Sequence, residues 1–174
     1  LPKSVFGTSL AHFGLGLAAL GIVSVTALQT EQIAAMRPGD SVAISGYVLK
    51  FDRMEPIQGP NFTEDRGHFH LSLDSGRDLG EIISSKRIYT ARQMPTTEAG
   101  IATRGFSQIY VSMGDPTANG GTVVRVWWKP LVTLIWLGAV GMMMGGAMSL
   151  TVRRLRVGAP ARRKARAAVQ APAE

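Results

Sequence analysis

The chain has 174 residues, 45 % of them hydrophobic, yet it carries a formal charge of +7 and a positive mean hydropathy. Apolar residues gather in two runs and the surplus charge in one tail, which excludes a soluble domain of ordinary composition. With no cysteine the chain also has no disulfide framework, no CxxC redox motif and no thiolate metal site.

Residues 1–4, with Lys3, form a short polar start, read as a cytoplasmic end. Residues 5–28 contain no charged side chain. At ~1.5 Å per residue this run reaches roughly 36 Å, enough to cross a hydrocarbon core of ~30 Å. Gly7, Ala11, Gly14, Ala18 and Gly21 recur at helical spacing on one face, which lets another helix approach closely in lipid. Ser9, His12, Gly16 and Ala19 make a second small or polar face roughly opposite. Two such faces imply neighbours beyond one partner helix. A competing reading takes Lys3, the apolar run and Val25-Thr26-Ala27 as a secretory signal with its cleavage site. The run is long for that and carries a histidine. The start at leucine rather than methionine is read as a piece of something longer, cut out or separately encoded.

Residues 29–129 hold eleven basic and eleven acidic residues and are neutral. Residues 41–51 begin with strand-like alternation at Val42 and Ile44. Phe69, Leu71 and Leu73 point one way, and His68, His70 and Ser72 the other. Residues 80–84, 108–113 and 122–127 are further strand candidates. Gly39-Asp40, Gly59-Pro60-Asn61 and Asn119-Gly120-Gly121 read as turns. Five or six short strands predict an all-β domain, a small antiparallel barrel or sandwich.

Residues 130–152 form a second expected span, with Pro130 suited to the first helical position. Trp127 and Trp128 stand where an interfacial aromatic belt belongs. Gly138, Gly141 and Gly145 share a face, and Met142-Met143-Met144 reads as adaptable packing. The tail 153–174 carries Arg153, Arg154, Arg156, Arg162, Arg163, Lys164 and Arg166 against Glu174 alone. By the positive-inside rule both termini are cytoplasmic and the β domain lies outside the cytoplasm. No aromatics interleave with this basic cluster, and it abuts the membrane, so the expected surroundings are lipid and not nucleic acid.

His12 is the main candidate for chemistry. It lies seven residues into the first run, roughly 11 Å from its start. An ionisable side chain at that depth calls for a partner or a ligand. Two readings stand side by side: a neutral imidazole clamped to a neighbouring helix, or an iron or haem ligand with Gly16 leaving room beside the ring. His68 and His70 form a same-facing pair, either solvent-exposed or sharing a metal for which no third ligand is evident. No GxSxG, Walker or GxGxxG motif occurs, and nothing amounts to a self-contained catalytic centre.

Four stretches together resemble the CcmF family, also called CycK, of cytochrome c maturation proteins. They are Leu10-Ala11-His12-Phe13-Gly14-Leu15-Gly16; Gly59-Pro60-Asn61-Phe62; Lys86-Arg87-Ile88-Tyr89 followed by Met94-Pro95-Thr96-Thr97-Glu98-Ala99; and Arg125-Val126-Trp127-Trp128-Lys129-Pro130 with Ile135-Trp136 and Gly145-Gly146. The resemblance covers the whole chain but only the C-terminal portion of the family's longer, multi-pass protein. It implies a place in a haem lyase assembly that takes haem from the chaperone CcmE. With CcmH- and CcmI-type partners, that assembly attaches haem to apocytochrome c. It implies further that His12 is one axial ligand of an intramembrane haem b, the other ligand coming from the remainder of the protein. That haem would pass electrons from quinol to the iron of the incoming haem. The β domain would be an extracytoplasmic docking surface, with Lys86, Arg87, Thr97 and Glu98 forming either a functional loop or a salt-bridged turn. Gly100 and Ser84-Ser85 depart from the family's commoner alanine and Pro-Glu. The family's tryptophan-rich haem-handling motif, its periplasmic histidine pair and its first transmembrane haem histidine have no counterpart in this chain. The alternative is a membrane-anchored β module that binds a partner and no cofactor.

Overall fold

A computed structural model describes residues 3–91 and 93–157. Leu1, Pro2 and the basic residues Arg162, Arg163, Lys164 and Arg166 of the expected tail lie outside the described residues. The element order is α1 (Lys3–Leu28), β1 (Thr30–Met36), β2 (Ser41–Ile44), β3 (Tyr47–Gln58), β4 (Phe62–Leu73), β5 (Asp78–Tyr89), β6 (Pro95–Glu98), β7 (Gly100–Arg104), β8 (Ser107–Pro116), β9 (Thr122–Lys129) and α2 (Thr133–Val157).

The strands form two antiparallel sheets, β1-β9-β8-β7 and β2-β3-β4-β5-β6. Between them lies one apolar core. Leu49 and Phe51 of β3 and Phe69 and Leu71 of β4 face Ile109, Val111 and Met113 of β8 and Val124 and Val126 of β9. Each set follows the two-residue period of a strand with one buried face. Phe51 and Phe69 stack at 4.8 Å between ring centroids. Of the two expected all-β architectures the fold is therefore the sandwich.

It has more strands than the five or six expected, and each difference has a local cause. Residues 41–51 are two strands, because Ser45 (φ 48°) and Gly46 (φ 83°) make a two-residue hairpin turn of the kind that matches strand twist. In β3 a register shift between Phe51 and Arg53 leaves Asp52 as an extra residue, so alternation re-phases partway along the strand. β6 and β7 form one nearly continuous run that leaves the five-stranded sheet and joins the four-stranded one at Gly100. A Cβ on Gly100 would lie 2.4 Å from Ile82 Cγ2 and 2.5 Å from the Ile83 carbonyl, so the crossing is tight.

The helices join neighbouring strands. α1 runs into β1 and β9 runs into α2, and β1 and β9 pair directly from Thr30↔Trp128 to Met36↔Thr122. α2 begins at Thr133 and not at Pro130. Leu131 takes a left-handed φ of 52°, and Pro130 stays in the turn before the helix. The helices pack through one small-residue face of each, Gly7, Gly14 and Gly21 on α1 and Gly138, Gly141 and Gly145 on α2. A Cβ on Gly14 would sit 2.6 Å from the Gly138 carbonyl, and one on Gly145 2.5 Å from the Gly7 carbonyl. Such backbone approach is what small residues permit and what dispersion rewards in an apolar solvent.

Candidate functional site

The face of α1 bearing Ser9, His12, Gly16 and Ala19 is turned away from α2 and is exposed. At 100° per residue His12 lies about 160° round the helix from Gly14, so the packing that buries Gly14 points His12 outward. The imidazole does not clamp α1 to α2. Its Nδ1–H donates to the Thr8 carbonyl one turn earlier, at 2.8 Å. A carbonyl only accepts, so Nδ1 carries a proton, and Nε2 is left without a partner among the described residues. A shallow apolar groove of about 260 Å³, lined by Ala11, His12, Leu15 and Met142, opens beside the ring. One turn further on, none of the described residues lies within 4 Å of where a Gly16 Cβ would be.

The second constellation is on the outer face of the five-stranded sheet, toward the end far from the helices. Sequence reasoning named Arg87 and Glu98 but missed its hub. Glu64 has a fully buried side chain. It accepts from Arg66 Nε at 3.0 Å, Arg87 Nε at 2.9 Å, Arg87 Nη2 at 2.8 Å and Ser85 Oγ at 3.1 Å. Burial pushes the Glu64 carboxyl up, but the hydrogen bonds from Arg87, Arg66 and Ser85 together outweigh it and hold the group below its ordinary value. Arg87 is raised by its bond to Tyr89 and then by Glu64. Its guanidinium lies 4.2 Å over the Phe62 ring and reaches Glu98 at 3.4 Å. Lys86 pairs with Asp115, and Thr97 Oγ1 donates to the Met113 carbonyl at 3.3 Å. Lys86, Arg87, Thr97 and Glu98 are thus strand residues tied into the sandwich. The signal for Glu64 was an acid at strand spacing from Arg66, opposite Arg87 in register.

His68 and His70 share a side of β4, as alternation requires, but they are neither a solvent-facing pair nor a joint site. His68 is only 5 % exposed. Its ring nitrogens lie 2.7 Å from Glu81 and 3.2 Å from Glu55, with Arg53 at 3.1 Å, because long side chains from β3 and β5 fold over it. His70 pairs separately with Asp78 at 3.0 Å. Among the described residues no group of three or more His, Asp or Glu side chains is disposed to hold a metal ion.

Fold and site together define a β-sandwich carried between two close-packed helices, both long and apolar enough to cross a membrane, with one histidine open on a helix face. Residues 27–130 match the family model described as CcmF C-terminal beta-sandwich, and the chain belongs to that family. It is 60 % identical over 162 residues to the cytochrome c-type biogenesis protein CycK of Rhizobium meliloti (strain 1021), covering 93 % of this chain and 24 % of that protein. Against the CycK of Bradyrhizobium diazoefficiens it is 48 % identical over 174 residues, 100 % of this chain and 26 % of the relative. Against the cytochrome c-type biogenesis protein CcmF of Pseudomonas aeruginosa the figure is 40 % over 157 residues, 90 % and 24 % of the two chains. The chain therefore spans about a quarter of the length of these curated relatives. A solved structure, the cytochrome c haem lyase CcmF, superposes with a TM-score of 0.74 over 85 % of this chain and 25 % of that one. At 12 % identity that likeness establishes the shared fold.

Proposed function

We propose that this chain works in cytochrome c-type biogenesis as the C-terminal part of a haem lyase subunit, and that His12 supplies one axial ligand to a haem b held within the membrane. Membership of the CcmF family and the names of the CycK and CcmF relatives support the first part. The observation that carries the second is the hydrogen bond from His12 Nδ1–H to the Thr8 carbonyl. It fixes the ring and the tautomer, and leaves Nε2 as a neutral nitrogen donor of the kind haem iron takes.

The residues present fit such a group. His12 is on an open helix face, Gly16 keeps the next turn clear, and Ala11, Leu15 and Met142 line an apolar flank. A bound haem would supply one-electron chemistry, in this reading from quinol to the iron of an incoming haem. The chain's own part is to orient the imidazole, hold its proton on Nδ1 and exclude water with apolar side chains. The opposing ligand would come from the remainder of the parent protein. Residues 29–129 would lie on the periplasmic side of a bacterial inner membrane as a docking surface for CcmE, CcmH- and CcmI-type subunits and apocytochrome c. Residues 1–4 and 153–174 would be cytoplasmic, and 5–28 and 130–152 the two spans.

The test is the reduced-minus-oxidised spectrum of the purified parent complex with His12→Ala, beside the unmutated complex at equal expression. Loss or a marked shift of the b-type bands is the expected result. An unchanged spectrum with assembly intact would remove His12 from the iron and leave the chain as scaffold and docking surface.

A further inference from the structure

The sandwich has three tight turns at its helix-bearing end. Two of them, Ser45-Gly46 between β2 and β3 and Asp74-Ser75-Gly76-Arg77 between β4 and β5, carry no apolar side chain. The third, between β7 and β8, is the two-residue turn Gly105-Phe106, closed by the pair Arg104↔Ser107 with Gly105 at φ 60°. Its tip is a phenylalanine, 54 % exposed. Arg104 donates to the Leu79 carbonyl near the start of β5, which puts this turn beside the polar one at residues 74–77.

An aromatic ring held out at a turn tip is costly in water and contributes nothing to the core described above. What distinguishes this turn is its height. The Thr133 amide, the first of α2, donates to the Phe106 carbonyl at 3.3 Å. The apolar stretch Thr133–Thr151 begins at that residue. Phe106 is therefore level with the top of the membrane-crossing stretch, in the zone where aromatic side chains are favoured because one side is apolar and the other wet. The neighbouring strand ends have the same character. Tyr110 and Trp127 meet edge to face at 5.3 Å, and the Lys129 ammonium lies 4.6 Å from the centre of the Tyr110 ring.

We propose that the β7–β8 turn is a lipid-binding element, with Phe106 inserted into the headgroup and upper acyl region beside α2, and that it seats the four-stranded edge of the sandwich on the bilayer. The occupant is lipid and not protein, because a direct backbone bond holds this exposed ring at the start of the apolar stretch of α2. The inference rests on α2 crossing the membrane, and on no other part of the proposed function. It also makes the seating asymmetric: the five-stranded sheet meets the surface only through polar turns.

The chain contains no cysteine, so single labels can be introduced. The experiment uses the full parent protein in phosphatidylcholine–phosphatidylglycerol nanodiscs, with other thiols replaced. An environment-sensitive fluorophore is attached at Phe106→Cys, Asn119→Cys at the far end of the sandwich, and Val140→Cys within α2. The Phe106 label should emit to the blue of the Asn119 label. Lipids spin-labelled near the headgroup should quench it several-fold more, and aqueous iodide several-fold less. Iodide quenching equal to that at Asn119 would overturn the inference in favour of a water-facing turn. Protection from both quenchers would overturn it in favour of a protein neighbour. If the Val140 label also escapes lipid quenching, the membrane reading fails with it. If Val140 is quenched by lipids spin-labelled deep in the chain, the helix spans and only the turn has been misassigned.

Discussion

Replacing Glu64 with glutamine should destabilise the sandwich far more than a typical surface substitution. The carboxylate is fully buried and accepts from two guanidinium groups and a hydroxyl. Glutamine keeps one acceptor oxygen but turns an NH2 donor toward a guanidinium. A hydrogen bond to a charged group contributes about 1.5–3 kcal/mol net. Arg66 and Arg87 keep 34 % and 24 % of their side chains exposed, so water partly re-solvates them once the carboxylate is gone. The expected net loss is about 2–3 kcal/mol, toward the lower side of what breaking a fully buried pair costs. For a domain of this size each kcal/mol moves Tm by about 4–8 °C, so the drop is roughly 8–24 °C.

The assay is thermal unfolding of the parent protein in detergent, followed by hydrogen exchange of β4 and β5 amides to confine the effect to the sandwich. Glu64→Leu should be worse than Glu64→Gln. Glu64→Leu with Arg87→Leu should recover part of the loss, because a buried pair removed whole costs less than a pair half removed. The pH dependence has a definite sign. The folded carboxyl is held below its ordinary 4.5, so its contribution is fully present above that value and is lost as pH falls through the depressed one. Glu64→Gln should therefore flatten the acid limb of the stability profile and leave the neutral limb parallel to the unmutated one. A Tm within a degree of the unmutated protein, or an unaltered acid limb, would refute the idea that Glu64 is the hub of this face.

Two further outcomes follow from the same geometry. Gly14→Ala should lower the stability of the helix pair by about 1–3 kcal/mol, the usual cost of overpacking, since its Cβ would meet the Gly138 carbonyl, whereas a Gly16→Ala Cβ meets nothing within 4 Å among the described residues. Thermal unfolding of the two variants side by side checks the contrast. His68→Ala should cost about 1–3 kcal/mol by emptying the space of a side chain buried beneath Arg53, Glu55 and Glu81. His70→Ala removes only a part-exposed pair with Asp78 and should stay within about 0.5 kcal/mol. Equal effects at the two histidines would contradict their different burial.

The helices were legible because their signals are long and redundant. The glycine spacing on α1 and α2 named the two faces that meet, Gly7 and Gly14 against Gly145 and Gly138. The sandwich was legible in kind but not in count. Alternation over Phe69 and Leu71 identifies a half-buried strand, whereas β6 and β7 are short, partly exposed and joined without a turn residue, so no period marks them. The bulge at Asp52 defeats alternation by construction, since one extra residue swaps the faces. The Ser45-Gly46 turn had a readable signature, a serine–glycine pair between Ile44 and Tyr47. His68 is buried by contacts that no local pattern carries. Its side of the strand followed from its neighbours, but its burial depends on Arg53, Glu55 and Glu81, which reach it only after three strands have paired.

The topology explains why a histidine on α1 and a sandwich outside the apolar spans belong to one unit. β1 and β9 are hydrogen-bonded neighbours from Thr30↔Trp128 onward, so α1 and α2 leave the sandwich from adjacent strands, roughly 4.8 Å apart in the pairing direction. Side chains of ordinary size would force the helices to splay from such a start, because helix axes usually pack 8–10 Å apart. Glycine at positions 7, 14, 21, 138 and 145 lets them remain close along their length. Once those faces meet, the rotation of α1 about its axis is fixed, and His12, about 160° from Gly14, can only point away from α2. Strand register at one end and glycine packing along the helices therefore determine together where Nε2 of His12 is presented. A change in either, such as a one-residue slip of β1 on β9 or a larger side chain at Gly14, should move that nitrogen without touching the residues around it.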